Sequence, residues 1–571
     1  MSFTHLDSSL PDQADSIDPS PGRRRSLASP PNLMSVKVTG LAVAPRRLTL
    51  GDPALGKQLY FGRFRCGGVQ TNCLPGAIFT SGPADREWIA ALHGFDWLAH
   101  VEATALELGR VQARALITDW LSGNSRHPAG ANTLPVLCSR IRAWIFAAPF
   151  LLAGADEMFR HVFYSGLTGQ IRHLNWRTAL TGSIETRLDC AAALALAAIA
   201  LRGLEGSRPA ALLFLSEMLD RRIFPDGGHV SRNPAELVRL LLVLLPLRLA
   251  CEEARMEVPA RLQAAIDRML PMLRFFLHGD KGLAMFHGAS DPLPSECTAI
   301  LAADSIGGRP LSHAVHSAYI RLAHGSTIVI CDIGVPPPGR RRQALSPLAF
   351  EFSDGGCRIV VNCGAPVSAN VRLSAVSVLP EAHSTAVLTP AAAPPRASRR
   401  FLTALGFAAR AVPASTAEVG SSDLGSMIDA GHNAYERATG FVHQRRIFLS
   451  ATGDDLRGED SFPGLRSSAG AAETAFAIRF HLHPAVKATL AMDGASVVLL
   501  LPNRSGWKFS ARGAAIRLEE SICLWGRAGP RKTTQILLAG TVGGPVNWAF
   551  KRIRKNPAAA SIGDQDTGLL L

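Results

Sequence analysis

From about Trp88 the apolar positions recur at spacings of three and four. The pattern runs through Trp97–Trp120, Ile141–Leu152, Met158–Leu174, Leu188–Leu201, Ala210–Leu219, Pro234–Ala250 and Val258–Phe276. Proline and glycine punctuate it, as in 126–130 and 224–228. Amphipathic helices joined by short connections follow, arranged as a bundle, solenoid or toroid. Near Gly282 the period shortens. Alternating or β-branched runs such as Ala318–Leu322, Ser326–Ile330, Cys357–Asn362, Arg446–Ser450, Ser496–Leu501 and Thr534–Leu538 are separated by turn residues. They predict an antiparallel β-sandwich. The expected organisation is a disordered leader at 1–45, an all-α domain at 46–290, an all-β domain at 291–555 and a flexible tail at 556–571.

Composition narrows the possible partners. Of 571 residues, 47% are hydrophobic and 19% charged, which excludes a disordered chain. Lysine and arginine outnumber acids 60 to 46, a net charge of +14. A membrane surface, an acidic polysaccharide and nucleic acid all match that sign. Only four tyrosines occur, at 60, 164, 319 and 435, too few for a stacking single-strand binder. No helix-turn-helix, zinc-finger or RNP motif is present, so no nucleic-acid partner is expected. Ten cysteines without a CxxC pair read as buried free thiols. The longest apolar stretches, Cys190–Leu201 and Leu240–Ala250, are shorter than the roughly 20 residues that span a bilayer. The first 35 residues lack the apolar core of a Sec signal. A bacterial-type cytoplasm or periplasm is expected.

A series of motifs then stands out in order. They are F-P-D-G-G-H-V-S-R-N-P at 224–234, S-H-A-V-H-S-A-Y-I-R-L-A-H-G from Ser312, L-A-F-E-F-S-D-G-G-C-R-I-V-V-N-C-G, A-H-S-T, H-N-A-Y-E-R-A-T-G and F-A-I-R-F-H-L-H-P. Over roughly residues 90–555 the chain resembles the heparinase II/III-like family of polysaccharide lyases. The resemblance implies an N-terminal (α/α) toroid followed by a C-terminal antiparallel β-sandwich. It also implies β-elimination on an acidic, uronic-acid-containing polysaccharide in the cleft between them. The alternative is a non-catalytic glycan-binding or envelope-polysaccharide-assembly protein on the same scaffold.

Elimination needs groups that neutralise the C5 carboxylate, a base for the C5 proton and an acid for the leaving oxygen. His229, Arg232 and Asn233 are the first candidates, placed at the toroid mouth. Equally, Asn233 can simply cap the helix that begins near Pro234, with Arg232 solvated. His173 and Asn175 form a second set for the carboxylate, with Trp176 to stack on a sugar. The competing reading is an ordinary helix with a core tryptophan.

Two departures from the family matter. Where many active members carry tyrosine, this chain has Glu236. Where they carry His-x-His, it reads Gln343-Ala-Leu-Ser346. Of the zinc positions implied by some members, Ser346, Asn362 and His383 stand here, so no metal and no cofactor is expected. His383 either lines the cleft or belongs to the sandwich. Tyr435 is the leading replacement phenol, against a packing role. Tyr164, Tyr319 and Glu236 stand behind it. His481 and His483 have metal-pair spacing but read as structural or surface residues.

Overall fold

The computed structural model describes residues 29–553, apart from 67–68, 73–77, 82, 84, 124–126, 291–293, 305–306, 335–345, 367–370, 390–414, 465–473 and 527–528. It also describes the short strand Ser2–Phe3. The basic clusters at 23–25, 340–342 and 399–400, most of the predicted leader and the predicted tail lie outside these residues.

The first half is a ring of helices. Its main members are Glu107–Ser122, Leu134–Leu152, Glu157–Leu180, Ile184–Ala200, Arg208–Arg222, Ala235–Glu253 and Ala260–Phe276. Local chemistry sets their starts. Asp156 accepts from the amide of Phe159 and Ser183 from that of Thr186, satisfying amides the helix leaves open. Ile184–Ala200 is the hub and packs on the helices before and after it. From Cys190 to Ala200 it is buried all round. Its run of alanines lets neighbouring backbones approach closely.

Two predicted boundaries move. Residues 33–45, assigned to a disordered leader, pack on the toroid. Leu33 and Val38 are buried. The Val38 amide donates to Thr168 Oγ1 at 3.0 Å, and Gly40–Leu41 pairs with Leu201–Arg202. One further helix, Pro294–Ala302, follows residue 290, with Cys297 and Ile300 in the helical core. The change to β structure therefore falls between Ala302 and His313. The helix Leu134–Leu152 is long and apolar enough to cross a membrane by length and composition, and 67% of its apolar window is buried inside the protein.

The second half is two antiparallel sheets packed face to face. One sheet runs Ser415–Ser422, Gly425–His432, His443–Ser450, Asp455–Ser461, Val546–Ile553, Gly506–Arg512, Ser496–Leu500 and Lys487–Leu490 in spatial order. The other runs Ala515–Cys523, Arg531–Thr541, Ala475–Leu482, Cys357–Val361, Phe350–Asp354, Thr327–Asp332, Tyr319–His324 and His313–Ala314. The sandwich core is apolar and aromatic, with Phe350 stacked on Trp548. It also encloses a charged network. Arg445 donates to both carboxylate oxygens of Asp460, at 2.7 and 3.0 Å. His443 and Trp548 hold the same carboxylate at 2.6 and 2.8 Å. Burial alone would raise the pKa of Asp460, but the arginine and imidazole hold it well below the usual carboxylate range.

The strands of the second sheet between Tyr319 and Val361 are buried on both faces, and their period of two divides the residues between two jobs. Ile320, Val329, Phe350, Phe352 and Ile359 face the sandwich core. Tyr319, Arg321, Asp332, Glu351, Ser353 and Arg358 meet the toroid. Arg321 donates to the carbonyls of Phe275 and Leu277 at 2.9 and 3.1 Å. Glu351 lies 3.0 Å from His278 Nε2 and accepts the Met285 amide at 3.1 Å. Arg358 donates to Asp280 at 2.9 Å. The seam between the domains is therefore rich in specific polar contacts.

At its centre Arg232 of the toroid is ion-paired to Asp332, with both side chains 1% exposed. Arg232→Met leaves that carboxylate buried with only His287 and the Gly334 amide beside it. Urea unfolding at neutral pH should show a loss of about 3–5 kcal/mol. Adding Asp332→Leu should recover part of it, because the stranded charge goes. A cost below about 1 kcal/mol for the single variant would contradict a central role for the pair.

Candidate functional site

The segment Asp226–Asn233 leaves the helix Arg208–Arg222 and enters Ala235–Glu253. Asp226 turns away from the toroid mouth. Its carboxylate accepts the Ser317 amide at 2.6 Å and the Ser317 hydroxyl at 2.7 Å. Gly228 is required for that approach, since a Cβ there would fall 1.8 Å from Ser317 Oγ. Arg232 adopts a left-handed backbone with φ of 57°, unfavourable for a side-chain-bearing residue. Its contacts hold it there. The guanidinium pairs with Asp332, donates to the carbonyls of Ser317 and Ala318, and stacks over the Tyr319 ring. The Tyr319 hydroxyl donates back to the Arg232 carbonyl at 2.8 Å. His287 takes the other Asp332 oxygen at 2.7 Å. Arg232, predicted to touch a uronate, is enclosed in the domain seam.

His229 is also buried. Its Nδ1 lies 2.6 Å from Ser231 Oγ and its Nε2 3.3 Å from Arg222, which in turn reaches Glu185 at 3.5 Å. Asn233 is half-buried, and its Oδ1 accepts the Ala235 amide at 2.9 Å, so it caps the following helix. Glu236 sits at the mouth but is paired with Arg239 at 2.7 Å, and Arg239 also pairs with Asp189.

The second set separates. His173 and Trp176 are three apart on Glu157–Leu180, share its exposed face, and have ring centroids 5.9 Å apart. Asn175 points the other way and is buried, with its Oδ1 lacking a hydrogen-bond partner among the described residues. An imidazole and an amide two residues apart on one helix lie about 200° apart around its axis and do not meet. Trp176 is 51% exposed, not a core residue, which leaves its ring open to a sugar face.

Tyr435 lies inside the sandwich. Its hydroxyl donates to the Ala386 carbonyl at 2.9 Å, and burial raises its pKa above that of a free phenol. Tyr319 is buried in the seam, and Tyr164 is half-buried on the toroid. His383 is 1% exposed, and its Nδ1 donates to the Leu379 carbonyl at 2.9 Å. Burial lowers its pKa to about 4.

The three positions that hold zinc in some relatives do not fit one here. The Asn362 amide is committed to Glu351 at 3.1 Å and to the Ser384 amide at 2.9 Å. Ser346 offers a buried hydroxyl without a hydrogen-bond partner among the described residues, and only His383 is a good zinc donor. His481 and His483 go to different partners, Ser521 and the Trp525 ring.

Sequence reasoning missed Asp332, His287, His278 and Glu351. One signal was available, an aspartate closing the apolar run Ile328–Cys331, because a charge at the end of a buried strand needs a partner.

A helical toroid whose last turns dock on one sheet of a β-sandwich is the scaffold of polysaccharide lyases. Residues 306–559 match the heparinase II/III-like C-terminal family. Heparinase III superposes with a TM-score of 0.68 at 12% identity, covering 94% of this chain and 89% of that one. Heparan sulfate lyase HepC from Pedobacter heparinus gives 0.57 at 14% identity, covering 88% and 85%. Chondroitin AC lyase from Streptomyces coelicolor A3 gives 0.53 at 10%, covering 90% and 80%. FtsZ-localized protein C of Caulobacter vibrioides is 33% identical over 529 residues, 90% of each chain. The chain belongs to the heparinase II/III-like family.

The buried histidines give a pH dependence with a definite sign. His383 and His483 are held at about 4, against about 6.5 when unfolded. Between these values the unfolded chain binds more protons, so stability falls as pH falls through that window. Melting temperatures recorded from about pH 7 to about pH 4 should decline, with a shallower slope in His383→Asn. A flat profile would contradict neutral burial of these rings.

Proposed function

We propose that this chain is a non-catalytic, glycan-binding member of its family that works in envelope assembly at the site of division. The carrying observation is the fate of the cation and phenol expected to act on a uronate. Arg232 is locked to Asp332, and Tyr435 is closed inside the sandwich. Neither group reaches solvent, while the family's acid and base positions hold Glu236 and Ser346. Elimination in this fold needs an unpaired acid or base beside a cationic carboxylate pocket. At the mouth, Glu236 is already ion-paired. Sugar contact is supported by the exposed face of Trp176 and His173. The net charge of +14 favours an acidic glycan. The link to division is carried over from the similarity to FtsZ-localized protein C.

The lyase reading keeps one supporting observation. His229, Asn233 and Glu236 fall in one short stretch of the chain, the stretch that carries the family motif.

A screen of heparin, heparan sulfate, alginate and polyglucuronate separates the two. Binding without the absorbance of an unsaturated product is expected, with Trp176→Ala weakening binding by about tenfold and leaving the fold intact. Product formation that is lost in folded His229→Gln would overturn the non-catalytic reading. A fluorescent fusion should gather with FtsZ at midcell, and uniform distribution would remove the division role.

A further inference from the structure

A polar cavity of about 270 Å³ opens where the last turns of the toroid meet the sandwich. Asp280 and Lys281 line it from the toroid side, and Arg358, His483, Trp525 and Arg531 from the sandwich. None of these residues belongs to the 226–233 turn or to the Trp176 ridge.

The lining is built. Arg358 is 4% exposed and fixed by Asp280 at 2.9 Å and by the Leu283 carbonyl at 3.1 Å. Its guanidinium stacks over the Trp525 ring, 4.9 Å from the centroid, and Arg531 stacks over the same ring at 5.4 Å. Trp525 is itself held, its Nε1 donating to the Asn362 carbonyl at 3.3 Å. Gly282 leaves the space that Arg358 occupies, since a Cβ there would fall 1.3 Å from Nη2. His483 Nδ1 accepts the Ala485 amide at 3.2 Å. Burial and the two guanidiniums keep that ring neutral, with a pKa of about 4. With Nδ1 accepting, the single proton sits on Nε2, a donor.

Three cations face one carboxylate, so the lining carries two positive charges. A carboxylate or sulfate ester brings one negative charge, whereas a phosphate monoester brings about 1.5 to 2 at neutral pH and three acceptor oxygens. We propose that this cavity binds the phosphoryl group of a monosaccharide-sized phosphate ester. Arg531 and Lys281 supply charge, His483 supplies a directed donor, and Arg358 with Trp525 forms the rigid wall behind them.

Calorimetric titration of the full chain with inorganic phosphate, a hexose 6-phosphate and glucuronate tests this. The hexose phosphate should bind best and glucuronate at least about tenfold more weakly. Arg531→Gln and His483→Asn should each weaken the phosphate ester by about tenfold or more. Asn at 483 keeps an acceptor for the Ala485 amide, so the turn is retained. The imidazole NMR signal that disappears in His483→Asn should titrate at a higher pH when phosphate is present, because a bound anion favours the charged ring. The proposal fails if the folded protein binds neither phosphate, if glucuronate binds equally well, or if the two variants leave affinity unchanged. It fails also if the exposed control Arg446→Gln weakens binding as much as they do.

Discussion

The carboxylate of Asp332 is the constraint on which the two-domain structure turns. It lies at the end of a strand whose neighbours are apolar, at 0% exposure, where a lone charge would be prohibitively costly. The toroid supplies both of its side-chain partners, Arg232 from the turn before Ala235–Glu253 and His287 from the segment after Ala260–Phe276, and the Gly334 amide of its own domain donates at 3.0 Å. The strand cannot bury its aspartate unless the toroid docks. Nor can the toroid hold Arg232 in a left-handed backbone without the carbonyls of Ser317 and Ala318. Gly334 completes the arrangement, since a Cβ there would fall 2.4 Å from the guanidinium carbon. Each domain thus finishes the other's hydrogen bonding.

Around this pair, strand alternation builds a seam with little freedom to slide. Arg321, Glu351 and Arg358 each bind particular carbonyls, amides or carboxylates of the toroid. A shift of one residue in register would carry these charges into the aromatic sandwich core. Such a seam gives geometric specificity more than net stability, since buried ion pairs roughly offset their own desolvation. The apolar and aromatic clusters on either side supply the larger share of stability.

Much of the fold was legible in the sequence because periodicity reports burial directly. The spacing of three and four gave the helices, and the alternation after Gly282 gave the strands. The errors fell where periodicity is silent. Residues 33–45 are rich in apolar side chains but form no helix and only the two-residue strand Gly40–Leu41, and Leu33 and Val38 fill gaps between helices formed far along the chain. The site was less legible, for a physical reason. Motif reading identifies which polar residues are special, not whether solvent or protein satisfies them. Asp226, Arg232 and Asn233 are special because they dock and cap. His173 and Asn175 were grouped by sequence distance, and helical geometry places them on opposite sides.

This difference bears on how a lyase scaffold changes role. A catalytic cleft needs polar groups left partly unsatisfied so that substrate can complete them. In this chain the equivalent region is satisfied internally. Arg232 is neutralised by Asp332, Glu236 by Arg239, and Asn362 by Glu351 and Ser384. Each pairing removes an opportunity for substrate to bind and adds a link between elements. Solvent-facing polar groups are found on the Trp176 face and in the cavity beside Trp525. The proposed function and the proposed phosphate site both put ligand recognition on surfaces away from the ion pair at Asp332. On that reading, substitutions at Trp176, His483 or Arg531 change ligand binding and leave the Arg358–Asp280 link across the seam in place.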